Sequence, residues 1–292
     1  MPELPEVETV RRSLERAILG ARVERAALHR ADVLTGDAGP DGLLVGARIA
    51  SLARHGKHMA IVADDGRALE IHLGMSGAVR CEAARDAESL GPWEASEHVH
   101  AAWLLRASSG ARVLMRFSDP RRFGGLWTFP SEAALRAERW SRLGPDALTI
   151  GAEDLAAGLR GARRALKAVL LDQTVIAGVG NIYADESLFA ARLSPVRSAR
   201  GVRGEEVGRL RDAIVATLCR AVEAGGSTLR DGGYADAAGA EGAYQASHAV
   251  YGRGGETCRE CGRRLRTAVV GGRTTVWCAR CQAAPARRRP VG

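Results

Sequence analysis

Residues 258–281 read CRECGRRLRTAVVGGRTTVWCARC. Cys258 and Cys261 are separated by two residues, Cys278 and Cys281 likewise, with sixteen residues between the pairs. Two such knuckles suit four thiolates around a single tetrahedral zinc ion, with no coordination position left open for a substrate. The zinc is therefore structural. Disulfide pairing would need an oxidising compartment, to which nothing in the sequence points. Cys81 and Cys219 stand apart and read as ordinary small apolar side chains.

Upstream of the knuckles the pattern is helical from about residue 150. It runs through EDLAAGLRGARRALKAVLLD (153–172), NIYADESLFAARL (181–193) and EEVGRLRDAIVATLCRAVEAG (205–225). Gly178 and Gly180 bracket Val179 in the turn before Asn181, which opens the second of these helices. A helix N-terminus offers unpaired N–H groups and a positive dipole end, and glycines let a phosphate approach that backbone closely. The third glycine of a dinucleotide fingerprint is missing. Further upstream the period shortens. HMAIVA (58–63) and RALEIHL (67–73) flank Asp64-Asp65-Gly66, and HVHAAWLLRA (98–107) and ARVLMRF (111–117) flank Ser108-Ser109-Gly110. Both read as hairpins. The expected class is α+β: an N-terminal antiparallel β-sandwich with flanking helices, then a helical domain carrying the four-cysteine finger.

A chain of 292 residues is long enough for two cores, and its net charge of +8 favours a polyanionic partner. No run approaches a membrane span, and the opening residues lack the basic and apolar segments of a secretory signal, so a cytoplasmic, nucleoid-associated protein is expected. Of 42 basic residues only Lys57 and Lys167 are lysine. Compositional drift has turned lysine into arginine wherever either serves, which marks these two as positions where a rigid guanidinium fails. The loops IHLGMSG (71–77) and SDPRRFGG (118–125) follow strands and expose Met75, Arg121 and Phe123. Such side chains can fill the gap left when a base is drawn out of duplex DNA.

MPELPEVETVRR, HGKHM, IHLGMSG, DPRRFG, GVGNIYADESLFAA and VYGRGGETCRECG…WCARC occur here in order, from residue 2 to about 282. Together they resemble the bacterial formamidopyrimidine-DNA glycosylases. The resemblance implies a β-sandwich joined to a helix–two-turn–helix domain with a zinc finger. It also implies a monomeric glycosylase and abasic-site lyase acting on duplex DNA with oxidised purines or abasic sites. Removal of the initiator methionine would expose the secondary amine of Pro2 as nucleophile, which explains the crowded opening. Glu3 becomes the acid beside it and Glu6 a supporting carboxylate. By the same resemblance Lys57 donates a proton during β-elimination and Arg273 binds phosphate and assists δ-elimination. Asn181, His98, Arg121, His72, Met75 and Phe123 meet DNA, Lys167 lies near the damaged base, and Arg163 stands in for the lysines of relatives. The opening PELPEVET favours this branch over the endonuclease VIII branch, which removes oxidised pyrimidines. A DNA-binding protein without turnover would have lost Pro2, Glu3 or Lys57, and all three are present. The expected division is a catalytic domain over 1–130, a linker over 131–149, a helix–two-turn–helix domain with a mobile lesion loop over 150–248, the finger over 249–283 and a disordered basic tail over 284–292.

Overall fold

The computed structural model describes residues 2–84, 98–229 and 234–283. Met1, the basic tail from 284 and positions 230–233 of the Gly/Ala-rich loop lie outside them. The chain forms two compact units, residues 1–142 with 221–245, and 143–220 with 246–292. The mixed α+β class read from the sequence is the one observed.

Unit 1 begins with helix α1 (Leu4–Ile18). Pro5 is tolerated there because a first-turn residue has no intrahelical partner for its missing N–H. Val7, Val10, Leu14 and Ile18 recur at helical spacing and are buried. They pack with the inner faces of two sheets, each such side chain contributing about 1.5–3 kcal/mol by burial. The first sheet has the order β1 (Arg22–Leu28), β7 (Val99–Arg106), β8 (Arg112–Ser118), β6 (Ala78–Ala83). The second runs β2 (Leu34–Thr35), β9 (Gly125–Phe129), β5 (Ala68–His72), β4 (His58–Ala63), β3 (Ile49–His55). Among the described strands of these two sheets, β2 and β9 pair in parallel and the other neighbours pair antiparallel. Alternation decides the faces: Met59, Ile61, Leu69 and Ile71 enter the shared core with Trp103, Met115 and Phe117 of the other sheet.

The segment after β9, expected as a linker, instead forms helix α2 (Glu132–Glu138), capped by Ser131, whose Oγ accepts from the Ala134 amide at 3.0 Å. A single helical turn over Trp140–Arg142 follows. The expected loop over 225–242 also differs. It belongs to unit 1, and its described parts are tied down by the Ser227–Ala243 bridge and by Ala237, whose carbonyl accepts from the Cys81 amide at 2.8 Å.

Unit 2 carries α3 (Ala152–Leu159), α4 (Leu166–Leu170), α5 (Asn181–Ala190), most of α6 (Glu205–Glu223) and the hairpin β10 (Arg266–Val270) with β11 (Arg273–Trp277). The sequence stretch 153–172 is thus two helices, broken where Gly161 takes φ +73°. No described helix is long and apolar enough to cross a membrane.

In unit 1 the loops after β5 and β8 touch backbone to backbone. Gly74 has φ +58°, and a Cβ there would meet the Gly124 nitrogen at 2.3 Å and the Phe123 carbonyl carbon at 2.4 Å. Gly74→Ala therefore combines an unfavourable φ with a clash that no side-chain rotation relieves, and is expected to cost more than about 2 kcal/mol in urea unfolding.

Candidate active site and nucleic-acid interface

In unit 1 the start of α1 is buried. Glu3 and Glu6 are each 2 % exposed. Glu6 spends both carboxylate oxygens on backbone donors: Oε2 accepts from the Glu3 amide at 2.8 Å and Oε1 from the Ser227 amide at 2.7 Å. It therefore fixes the backbone of its neighbour and of the 226–227 turn. Tyr234 adds its hydroxyl, which donates to the Glu6 and Gly225 carbonyls at 3.3 and 3.1 Å.

Lys57 lies in the two-residue turn joining β3 and β4, with His55 and His58 as the closing pair. Gly56 takes φ +57°, which suits glycine at the first central position of a tight hairpin. Lys57 is 9 % exposed. On the β3 side, Arg54 pairs with Glu8 of α1 at 2.9 Å. Burial alone would raise the Glu8 carboxyl, but hydrogen bonds from Arg11 and Arg12 and the charges of Arg11 and Arg54 override it and hold it at about 2. On the β4 side, His58 Nδ1 meets Glu70 at 2.7 Å. The same carboxylate, fully buried, accepts from Trp140 Nε1 at 3.2 Å and pairs with Arg139, whose guanidinium lies over Trp127. Burial pushes Glu70 up, and His58 and Arg139 more than reverse it, so it stays ionised. His72 stacks on His58 with ring centroids 4.6 Å apart. Burial, reinforced by His58, lowers its pKa to about 4. At neutral pH His72 is therefore uncharged in the free protein.

Asp119, 1 % exposed, organises the two loops that follow β5 and β8. It accepts from Ser76 Oγ at 2.5 Å, from the Arg121 amide at 3.3 Å and from the Gly124 amide at 2.7 Å. The pinned loops hold Phe123 55 % and Met75 37 % exposed, with the Arg121 guanidinium 4.7 Å from the Phe123 ring centre. Solvent-facing apolar groups on a rigid base are what insertion into a base stack requires. His98 is exposed, and its carbonyl accepts from the Asp119 amide at 3.1 Å.

In unit 2, Gly178 has φ +111° and its amide donates to Gln173 Oε1 at 3.0 Å, while Gln173 Nε2 donates to the Val179 carbonyl at 2.9 Å. One glutamine thus shapes the turn that presents Asn181 at the start of α5. Arg163 is exposed nearby in sequence to α4. Arg273 is exposed at the start of β11, after a Gly271-Gly272 turn in which both residues have positive φ.

Lys167 lies on α4. It has no exposed surface; its ammonium lies 2.8 Å from Asp185 Oδ1 and donates to the Thr274 carbonyl at 3.0 Å. Asp185 Oδ2 in turn accepts from the Val276 amide at 3.0 Å. A cation so enclosed braces β11. Burial raises the Asp185 carboxyl to about 6, against the pull of Lys167. Glu8, Arg54, Glu70, Arg139 and Asp185 were not singled out from sequence, because paired charges on helices and strands look like ordinary solvated faces until their partners are known.

The four thiols of Cys258, Cys261, Cys278 and Cys281 lie within 4.8 Å of one another, with Sγ–Sγ distances of 3.9 Å for 258–281 and 3.5 Å for 261–278. Zn–S bonds of about 2.3 Å give a tetrahedron with edges of about 3.8 Å, so the donors fit one structural zinc. Cys81 and Cys219 differ from each other: burial pushes the Cys81 thiol up to about 12, whereas Cys219 is exposed on α6.

Family models match along the chain: formamidopyrimidine-DNA glycosylase N-terminal domain over residues 1–126, its H2TH domain over 143–232, and a zinc finger found in FPG and IleRS over 255–284. A formamidopyrimidine-DNA glycosylase of Brucella ovis is 43% identical, with 97% of this chain and 100% of that protein covered. The crystal structure of the MutM (Fpg) protein from Thermus thermophilus is 41% identical, with a TM-score of 0.82 over 96% of this chain and 98% of that one. A Lactococcus lactis Fpg variant, crystallised with DNA containing Fapy-dG, is 30% identical with a TM-score of 0.83 over 97% and 100% of the two chains.

Two outcomes follow from the charges and the thiols. The Glu8 pKa is depressed, so its stabilisation is complete above the ordinary carboxylate value of 4.5 and is lost as pH falls from there through about 2. The shift corresponds to about 3 kcal/mol. Glu8→Gln should lower unfolding free energy at pH 7 by about that amount and flatten the acid limb, as measured by urea unfolding from pH 7 to 2.5. Removing zinc with a chelator should release one ion per chain by metal analysis and abolish duplex binding, since metal-binding energy is folding energy for such a finger. Full duplex affinity in verified zinc-free protein would contradict this.

Proposed function

The chain belongs to the formamidopyrimidine-DNA glycosylase family, and from that membership we propose that it is a bifunctional repair enzyme. It excises oxidised purines, formamidopyrimidines and 8-oxoguanine, from duplex DNA and then cleaves the strand at the abasic site. The observation that carries the proposal is the Pro2-Glu3 pair directly at the head of α1, with the Glu3 amide held by Glu6.

Once Met1 is removed, Pro2 offers a secondary amine, and an α-amino group with a pKa of about 7.7–8.0 is partly neutral at physiological pH. Its lone pair attacks C1′ of the deoxyribose, and the bond to the damaged base breaks. Glu3 supplies a proton to the sugar ring oxygen or the departing base, which leaves with the bonding electrons. The amine loses its proton and the C1′–O4′ bond then opens, O4′ keeping the electron pair and gaining a proton, which leaves an iminium between Pro2 and C1′, a covalent intermediate that divides one hard step into easier ones. The iminium acidifies the C2′ protons. Loss of one expels the 3′ phosphate, and a second elimination expels the 5′ phosphate. Lys57 manages the proton in the first elimination and Arg273 holds phosphate in the second. Asn181 and Arg163 bind the strand backbone, and Met75, Arg121 and Phe123 fill the space of the extruded base.

The test is borohydride reduction on a duplex carrying 8-oxoguanine opposite cytosine. Processed protein should form a covalent adduct and nick the strand, Pro2→Gly should lose most of its base-excision activity, and Lys57→Ala should slow nicking by about 100-fold or more. Absence of both adduct and nicking in the processed protein would refute the proposal.

A further inference from the structure

Glu8 lies on α1 two residues after Glu6 and five after the capping Glu3, and its side chain is only 9 % exposed. It receives Arg54 Nε at 2.9 Å, Arg12 Nε at 2.7 Å and two nitrogens of Arg11 at 3.1 Å each. Arg54, equally buried, lies on β3 three residues before Lys57. While its Nε engages Glu8, its Nη1 donates to the Gly56 carbonyl at 3.0 Å. That carbonyl belongs to the peptide joining Gly56 to Lys57. One planar guanidinium therefore connects the helix that starts beside Pro2 to the peptide that orients Lys57. Arg11 reinforces the connection by donating to the Leu52 carbonyl of β3 at 3.2 Å.

Burying a cluster of charges where apolar side chains would pack equally well is costly, and the best-attested return is a defined register. Two elements whose reactive groups act on one sugar have need of one, because a displacement of about 1 Å in reacting groups costs roughly 100-fold in rate. Arginine is required for geometric reasons: its donors sit in a fixed fork, whereas one lysine ammonium cannot reach carboxylate and carbonyl with that geometry. We propose that Glu8 and Arg54 are positioning residues, a strap that keeps Lys57 in register with Pro2 and Glu3. The inference rests on the proposed function.

The experiment compares full-length wild type with Glu8→Gln, Arg54→Lys and Arg54→Met in single-turnover cleavage of a duplex with a preformed abasic site. Rates are normalised to the fraction of molecules trapped by borohydride, so that partial unfolding does not masquerade as slow chemistry. Binding is measured separately on a duplex with an uncleavable tetrahydrofuran site. The expected result is a fall of about 100-fold in cleavage rate per active molecule with duplex affinity unchanged, Arg54→Lys being no better than Arg54→Met. Glu8→Gln combined with Arg54→Met should add little to Arg54→Met alone, as for groups acting as a unit. A wild-type rate per active molecule in Arg54→Lys, with any loss confined to melting temperature, would overturn the strap while leaving the proposed function intact. Wild type that neither traps nor nicks would overturn the proposed function itself, and the strap with it.

Discussion

Buried carboxylates that capture backbone amides hold several of the described segments that carry or adjoin the proposed site residues. Glu6 takes the amides of Glu3 and Ser227, Asp119 those of Arg121 and Gly124, and Asp185 that of Val276. Glu186, 5 % exposed, takes three, from Ala249, Val250 and Tyr251, at the entry to the finger. Irregular backbone cannot satisfy its own donors, and a buried unpaired N–H costs about as much as a lost hydrogen bond. An ionised acceptor meets that demand more strongly than a neutral one. Loops bearing exposed functional groups can then be rigid without being sheets or helices.

This arrangement explains how a small scaffold presents unusual side chains. Met75 and Phe123 would ordinarily be driven inward. They stay exposed because Asp119 and the Gly74–Gly124 approach leave their backbone no room to turn. On the opposite chemical footing, the Lys57 turn is gripped from two sides, by Arg54 through Glu8 and by His58 through Glu70. Both grips end on helices of unit 1, α1 on one side and the turn after α2 on the other.

The periodicities made the architecture legible. Asp64-Asp65-Gly66 and Ser108-Ser109-Gly110 are hairpin turns because Gly66 and Gly110 accept positive φ, and the four cysteines converge because their knuckle spacing forces them to. What the sequence hid has a common cause. The segment from 131 to 142 read as part of a linker because the contacts of Trp140 and Arg139 are with Glu70 and Trp127, partners scattered over seventy positions. The stretch from 225 to 242 read as a mobile loop because glycine and alanine carry no pattern, while in its described parts Glu6 accepts from the Ser227 amide and Tyr234 donates to the Gly225 carbonyl. Long-range pairing of charges is invisible to a local reading.

The two lysines carry a last consequence. Both are enclosed, Lys167 fully and Lys57 nearly so, in a chain whose other forty basic residues are arginine. Only Lys57 belongs among the proposed catalytic groups; the Lys167 ammonium is enclosed between the Asp185 carboxylate and the Thr274 carbonyl. A compact ammonium suits such an enclosed pairing, where a guanidinium would bring a broader plane and more donors to satisfy. Enclosure, and not reactivity alone, can therefore keep a lysine in a chain that otherwise uses arginine.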